Sequence, residues 1–146
     1  MRYIFILTVF CSSIITACSK DSARETDAAI TGTWELRQVS DSIQPIDYPA
    51  GNGNLLKFTN TVYEIYINGL LTKSGEYKII SDNTVRESVC LEIADGQYTE
   101  RIIYDNDTSA VKQFIEISGN TLSFIAGCYA NDGGHSEKYE KLQSNW

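Results

Sequence analysis

The sequence predicts an all-β domain of about nine short strands, closed into a barrel or stacked as a sandwich. From residue 30 onward, large apolar side chains alternate with polar ones, the period of two expected of strands with one buried face. Turn-forming residues interrupt this alternation about every ten residues, and no stretch shows a convincing helical period. The candidate strands are 30–37, 54–59, 62–68, 74–80, 84–94, 97–105, 110–118, 121–129 and 137–142.

The first 17 residues have the composition of a secretion signal. One cation, Arg2, precedes an apolar run from Ile4 to Phe10, and small residues follow up to Ala17. The alternative is a transmembrane helix, which needs about 20 consecutive apolar residues. Because hydroxyl residues interrupt the stretch and polar sequence follows it, export with removal of residues 1–17 is the favoured interpretation.

The segment Ile15-Thr16-Ala17-Cys18 resembles the lipobox of bacterial lipoproteins. The resemblance implies that a diacylglycerol thioether forms on Cys18 and that the signal is cut just before it. Acyl chains such as palmitate would then anchor the protein in a membrane. Ser19, and not aspartate, follows the cysteine, which in this family implies the outer membrane, with the domain facing the periplasm or the cell surface.

The chain that remains after such processing is acidic. It has 11 basic and 19 acidic residues, a net charge of −8, which makes nucleic acid an improbable partner. Residues 18–29, which begin at the lipidated cysteine, are polar and short of large apolar groups, so a flexible tether is expected there. Residues 30–146 are long enough for one domain with its own core.

The first predicted strand shows the alternation clearly. Its apolar face consists of Ile30, Gly32, Trp34 and Leu36. The long connection that follows, 41–53, is rich in strand-breaking proline and glycine.

Two dipeptides, Asn68-Gly69 and Asp95-Gly96, predict hairpins because both residues of each can take positive φ. A two-residue turn at Asn68-Gly69 would place Glu64 opposite Lys73 as an ion pair. A two-residue turn at Asp95-Gly96 would pair Ile93 with Tyr98, Leu91 with Glu100, Val89 with Ile102 and Glu87 with Tyr104. Those residues would then face the interior.

Cys90 and Cys128 are the thiols that remain after Cys11 is removed and Cys18 is acylated. Two thiols in an exported chain are often a disulfide. Strand parity, however, places Cys90 on the outer face and Cys128 on the inner one, and only a β-bulge would bring them together. Both the paired and the free state stay open.

Gly32-Thr33-Trp34 resembles the Gly-X-Trp element of lipocalins. The stretches TGTWELRQV, LLKFTNTVYEIYINGLLTKSGEYKI and DGGHSEKYEKL resemble the lipocalin-like domain of many bacterial lipoproteins over residues 30–142. This resemblance implies an antiparallel up-and-down barrel of eight to nine strands. It also implies that Trp34 forms the barrel floor, with Lys141 or Lys138 as a cation–π partner.

No catalytic motif is found, so the chain is predicted not to be an enzyme, and no cofactor or metal is expected. The single histidine, His135, is interpreted as a solvated loop residue. The oxygen-bearing residues Asp105, Asn106, Asp107 and Asp132 could suggest calcium, but they lack EF-hand spacing and are typical of turns. Glu87 and Glu100 could act as an acid/base pair, but a filled small barrel leaves no substrate cleft.

The favoured function is therefore a membrane-anchored module that binds a small apolar or amphipathic ligand. The predicted cavity-lining residues are Leu91, Tyr98, Glu100, Ile102, Tyr104 and Phe124, together with Val89, Ile93 and Leu122. The alternative is an interaction module or inhibitor with a filled barrel, which would contact an envelope protein through the loops 41–53 and 130–136.

Overall fold

The computed structural model, which describes residues 21–41 and 44–143, contains a closed antiparallel barrel of eight strands with one additional strand. The strands are β1 (Gly32–Asp41), β2 (Gln44–Asp47), β3 (Leu55–Thr59), β4 (Val62–Ile67), β5 (Leu70–Ser81), β6 (Glu100–Tyr104), β7 (Gln113–Ser118), β8 (Thr121–Ala126) and β9 (His135–Lys141). Consecutive barrel strands are neighbours, and β9 pairs with β1 to close the sheet. The predicted all-β, lipocalin-like, up-and-down barrel is confirmed.

The barrel interior is filled with side chains. Its buried residues are Ile30, Trp34, Leu56, Phe58, Tyr63, Tyr77, Ile79, Ile102, Ile115, Leu122 and Phe124. Three aromatic pairs meet edge to face across it: Phe58 and Tyr77 with centroids 4.8 Å apart, Tyr63 and Tyr104 at 4.6 Å, and Phe124 and Tyr139 at 5.8 Å. Such pairs are worth roughly 0.5–1.5 kcal/mol beyond their burial. The apolar residues that alternate with polar ones in the sequence therefore point into the barrel and form its packed core.

The loop between β2 and β3, residues 48–54, folds back against the outside of the barrel. Asn52 Nδ2 donates to the Leu36 carbonyl at 2.8 Å, and a carboxylate oxygen of Glu35 lies 2.5 Å from the Arg37 guanidinium. Burial opposes the ionisation of Glu35, but hydrogen bonds from the loop backbone and the contact with Arg37 lower its pKa. The hydrogen bonds from the loop to Glu35 and to the Leu36 carbonyl hold the loop against β1.

Residues 21–30 are helical (α1, Asp21–Ile30), so the prediction of a flexible tether is wrong for residues 21–29. Ile30 is fully buried in the barrel interior and ends the helix, and β1 begins at Gly32. The helix contacts β5 and β7, which places it across one end of the barrel. Compositional reasoning failed here because α1 is held by tertiary contacts and not by an apolar face of its own.

Cys18 and residues 1–17 lie outside the described residues, so the lipid anchor and the signal stay predictions. Among the residues that are described, neither helix is long and apolar enough to cross a membrane.

The predicted hairpin around Asp95-Gly96 is wrong. The dipeptide does form a turn, in which the Gln97 amide donates to the Ala94 carbonyl at 3.2 Å, but the turn lies within a long excursion over 82–99. The excursion contains a short helix, α2 (Val85–Val89), instead of a strand.

The helix α2 packs on the outside of the barrel. Val85 and Val89 contact Phe114 and Ile125, which face outward from β7 and β8 and form a second buried cluster. Valines at 85 and 89 are compatible with a period of two and also with one face of a helix. The local pattern therefore could not distinguish the two structures.

A disulfide joins Cys90 to Cys128, with their Cα atoms 5.0 Å apart. The parity argument against pairing does not apply, because Cys90 caps α2 with a positive φ of 56° and is not in a strand. The disulfide holds the 82–99 excursion to the loop after β8.

The hairpin at Asn68-Gly69 is present, with φ of 52° and 79° at its two turn residues. A bulge after Ile65 shifts the register, so Lys73 pairs with Ile65 and the predicted cross-strand partner Glu64 is wrong. Lys73 Nζ instead lies 3.3 Å from an Asp105 carboxylate oxygen. One extra residue in a strand is enough to change every later pair.

Candidate binding cleft

The barrel wall is weakest where β6 meets β7. Only three residue pairs join these strands, Glu100 with Ile115, Arg101 with Phe114 and Ile102 with Gln113, whereas six pairs join β7 to β8. Because β6 is short and continues into loops at both ends, the wall separates above and below this seam. Each separation forms a cleft.

The first cleft lies beside α1 and has a volume of about 360 Å³. We call it the helix-end cleft; it is lined by Thr26, Ala29, Gly96, Tyr98, Thr99, Glu100, Ile115, Glu116 and Ile117. Its wall combines aliphatic side chains, one aromatic ring and two carboxylates. None of the lysine, arginine and histidine side chains that the structure describes lines it.

Glu100 is the most unusual residue of this cleft. It faces the barrel interior between Ser81 of β5 and Ile115 of β7 and is only 8% exposed. Its Oε1 has no hydrogen-bond partner in the described part of the chain. A buried acceptor left unpaired costs roughly 1–3 kcal/mol, and more when it is charged. The folded protein therefore has an energetic cost at Glu100, and a ligand that donates a hydrogen bond to this carboxylate would reduce that cost.

Tyr98 connects the cleft to the outer cluster. Its φ of 51° turns the chain out of the strand just before β6, and its ring packs against the cluster beneath α2. Burial raises the pKa of the Tyr98 hydroxyl, and the nearby Glu116 carboxylate raises it further. The ring is thus held in place on one side while it lines the cleft on the other.

The helix α1 forms one wall of the cleft and is fastened at its C-terminal end. The Trp34 indole N–H donates to the Ile30 carbonyl at 2.6 Å, and Lys141 Nζ donates to the Ala29 carbonyl at 3.0 Å. Lys141 Nζ also lies 4.9 Å from the centroid of the Trp34 ring. Trp34, the predicted floor residue, is fully buried. A lysine at the last turn complements the negative end of a helix.

A further cleft of about 390 Å³ lies on the opposite flank of α1. It is lined by Asp27, Ala28 and Thr31 of the helix region and by Tyr77 of β5, among others. The Tyr77 hydroxyl is buried and has no hydrogen-bond partner among the described residues. Substitutions in the two clefts, one on each flank of α1, can therefore be compared as test and control.

The other predicted lining residues are separated by the fold. Ile102, Tyr104, Phe124 and Leu122 face the filled interior. Leu91 is 40% exposed on the excursion, so its assignment to a cavity is wrong. Val89 and Ile93 belong to the outer cluster, so their placement in the interior is wrong too.

The prediction that Glu87 and Glu100 lie on one inward face of a hairpin is wrong. Glu87 is exposed on α2, while Glu100 is buried in the barrel, because residue 87 is not in a strand paired with β6.

At the opposite end of the seam lies a cleft of about 300 Å³ with Lys73, Arg101 and Lys112 in its wall. Two of these cations already have an acidic partner, since Asp82 lies 3.2 Å from Arg101 and 2.9 Å from Lys112. Lys73 has Asp105. All three basic side chains of this cleft are therefore already paired with acidic side chains of the protein.

Sequence reasoning missed a polar cluster at the barrel mouth. His135 Nδ1 lies 2.7 Å from Asp41 and Nε2 lies 3.0 Å from Glu137, which accepts a hydrogen bond from Tyr139 at 2.9 Å. Burial opposes protonation of His135, but the two carboxylates outweigh it and raise its pKa. No local signal could reveal the cluster, because closure of the barrel pairs residues 41 and 135. The described residues include no group of three or more side chains able to hold a metal ion.

Comparison of the chain with protein-family models, with curated proteins and with solved structures gave no match. The chemistry of the helix-end cleft is therefore interpreted from its own residues.

Proposed function

We propose that this chain is a lipid-anchored binding protein that holds a small amphipathic molecule in the helix-end cleft. The observation that carries the proposal is Glu100, a buried side chain at the edge of an open cleft, whose Oε1 has no hydrogen-bond partner among the described residues. Burying such a group without a partner is unfavourable, so a site that keeps one is a candidate for ligand recognition. The proposal assigns no catalytic role.

The size and wall of the cleft suit such a ligand. Its volume of about 360 Å³ lies at the lower end of the range of small-molecule sites, roughly 300–1,000 Å³. Ile115 and Ile117 offer an apolar wall, and Glu100 offers one fixed polar contact. An apolar wall beside a fixed polar group is the arrangement expected for an amphipathic ligand.

The anchor gives the cleft a location. Cys18 precedes the first residue of α1 by three positions, and α1 forms one wall of the cleft. In the proposed lipoprotein the cleft would therefore lie on the membrane-proximal side of the barrel, where amphipathic molecules concentrate. Incorporation of labelled palmitate by wild type, and its loss in Cys18→Ser, would support the anchor; equal labelling of both would contradict it.

A pair of substitutions on α1 tests the site. Ala29 lines the helix-end cleft, and its neighbour Ala28 lines the cleft on the other flank. We expect Ala29→Trp to abolish saturable binding of a fluorescent fatty-acid or amine probe, because the indole fills the cleft. Ala28→Trp adds the same bulk elsewhere and should leave the affinity unchanged. Loss of binding only in Ala28→Trp would place the ligand in the cleft on the opposite flank of α1 and refute the helix-end cleft as its site.

The filled interior favours a second candidate, an interaction module for an envelope protein. In that case the exposed loop residues Asn131 and Asp132 would contribute to the contact. Pull-down from envelope extract with Asn131→Arg/Asp132→Arg would then lose the partner that wild type captures. An unchanged set of captured proteins would contradict this candidate.

A further inference from the structure

Among the residues that the structure describes, the side chains that line the helix-end cleft are acidic or neutral: Glu100 and Glu116 both line it, and no described basic residue does. Neither carboxylate forms an ion pair anywhere in the described part of the chain, although most other buried or half-buried acids do so, as Glu35 does with Arg37. Lys141, the cation at the end of α1, is engaged by the Ala29 carbonyl and the Trp34 ring.

This charge arrangement selects the sign of a ligand. A donor that carries positive charge forms a hydrogen bond to a carboxylate about twice as strong as a neutral donor does. An anionic head group would instead be repelled by the Glu100 carboxylate. The net charge of −8 expected for residues 18–146 adds a long-range attraction for cations.

The remaining wall favours an organic cation over a metal ion. Two carboxylates are too few ligands for a protein calcium site, which usually takes six to eight oxygens. The Tyr98 ring can contact an ammonium group through its face, and Ile115 and Ile117 can contact a hydrocarbon chain.

We infer that the ligand of the helix-end cleft is an organic ammonium compound, whose charged head group binds Glu100 and whose apolar part lies on Ile115 and Ile117. This inference rests on the proposed function and specifies its ligand class. Tyr98 and Glu116 line the same cleft and complete the surroundings of the head group.

The test compares three probes with the same hydrocarbon tail: hexylammonium, hexanol and hexanoate. Titration calorimetry is carried out at neutral pH and low salt on the full chain from residue 18 onward, with Cys18→Ser as its only change. We expect hexylammonium to bind at least about tenfold more tightly than hexanol, since a charge-assisted hydrogen bond contributes roughly 1.5–3 kcal/mol, and hexanoate to bind most weakly. The preference for hexylammonium should decrease as salt is added.

Glu100→Gln should reduce the affinity for hexylammonium to that for hexanol. Tyr77→Phe is the matched control, because it removes a buried unpartnered polar atom from the opposite flank of α1 and should preserve the preference. Far-UV circular dichroism shows whether each variant is folded.

A second pair of variants keeps the test decisive if Glu100→Gln does not fold. Thr99 is exposed and lines the cleft, so Thr99→Lys brings a tethered ammonium to its rim. We expect Thr99→Lys to weaken hexylammonium binding at least about tenfold by competition and repulsion, whereas Thr99→Gln, similar in length and neutral, should not.

The outcomes separate the inference from the proposed function. If no probe binds, both are refuted. If hexanol or hexanoate binds as tightly as hexylammonium, the cleft holds an amphipathic ligand but the ammonium inference is overturned. A preference for hexylammonium that survives in a folded Glu100→Gln, or is unchanged in Thr99→Lys, also overturns it.

Discussion

The junction between α1 and the barrel depends on Trp34, and Trp34→Phe tests that dependence. The substitution keeps an aromatic ring in a fully buried position but removes the indole N–H. That N–H donates to the Ile30 carbonyl at 2.6 Å, and the indole ring lies 4.9 Å from Lys141 Nζ.

The expected loss of stability is about 3 kcal/mol. The hydrogen bond contributes roughly 1 kcal/mol, and its loss leaves a buried carbonyl with one donor fewer. The smaller ring removes buried surface equivalent to roughly two methylene groups, about 1.6 kcal/mol, and weakens a cation–π contact worth roughly 0.5–1 kcal/mol. Lys141→Met keeps the indole and its hydrogen bond but removes the cation–π contact and the hydrogen bond to the Ala29 carbonyl, so it should cost about 1.5–2 kcal/mol.

Urea unfolding followed by far-UV circular dichroism measures both variants against wild type. A second measurement, amide hydrogen exchange, should show faster exchange in α1 of Trp34→Phe, because the helix has lost its bond at Ile30. If Trp34→Phe costs no more than Lys141→Met, or if exchange in α1 is unchanged, the indole does not fasten the helix and the reasoning is refuted.

Three further predictions follow from the contacts. Replacing Cys90 and Cys128 with serine should lower the free energy of unfolding by about 3–4 kcal/mol, because the disulfide closes a separation of 38 residues; a change below about 1 kcal/mol in urea unfolding would contradict this. The single histidine, His135, should titrate above about 6.5 by NMR, and Glu137→Gln should lower that pKa. Protonated His135 should stabilise the fold below about pH 6.5, and this stabilisation should be lost as the pH rises through the pKa of His135 in the folded protein. A His135 pKa that Glu137→Gln leaves unchanged would count against the cluster. Burial opposes the ionisation of Asp82, but its hydrogen bonds and lysine partner lower its pKa, so its stabilisation should be present above about pH 4 and be lost as the pH falls. Asp82→Asn should therefore flatten the acid limb of stability against pH, and an identical acid limb would refute its role.

Local sequence patterns predicted those parts of the fold that local chemistry controls. The alternation that contains Trp34 identified a strand with one apolar face, and Asn68-Gly69 identified a hairpin turn. Both signals arise within a few residues, because side-chain parity and positive φ are properties of the chain itself.

The same patterns failed where distant residues decide between structures of similar local cost. Val85 and Val89 fit a strand or a helix, and the outward-facing Phe114 and Ile125 stabilise the helix. The register of Lys73 changed because one residue bulges from the sheet.

The sequence by itself determined an acidic, all-β chain whose large side chains fill one face of each strand. Only the tertiary structure decided that α1 covers one end of the barrel, that Cys90 meets Cys128, and that Glu100 is buried beside an open cleft. The physical reason is that these features depend on which strands become neighbours. Closure brings together residues far apart in the chain, and no local pattern records their distance.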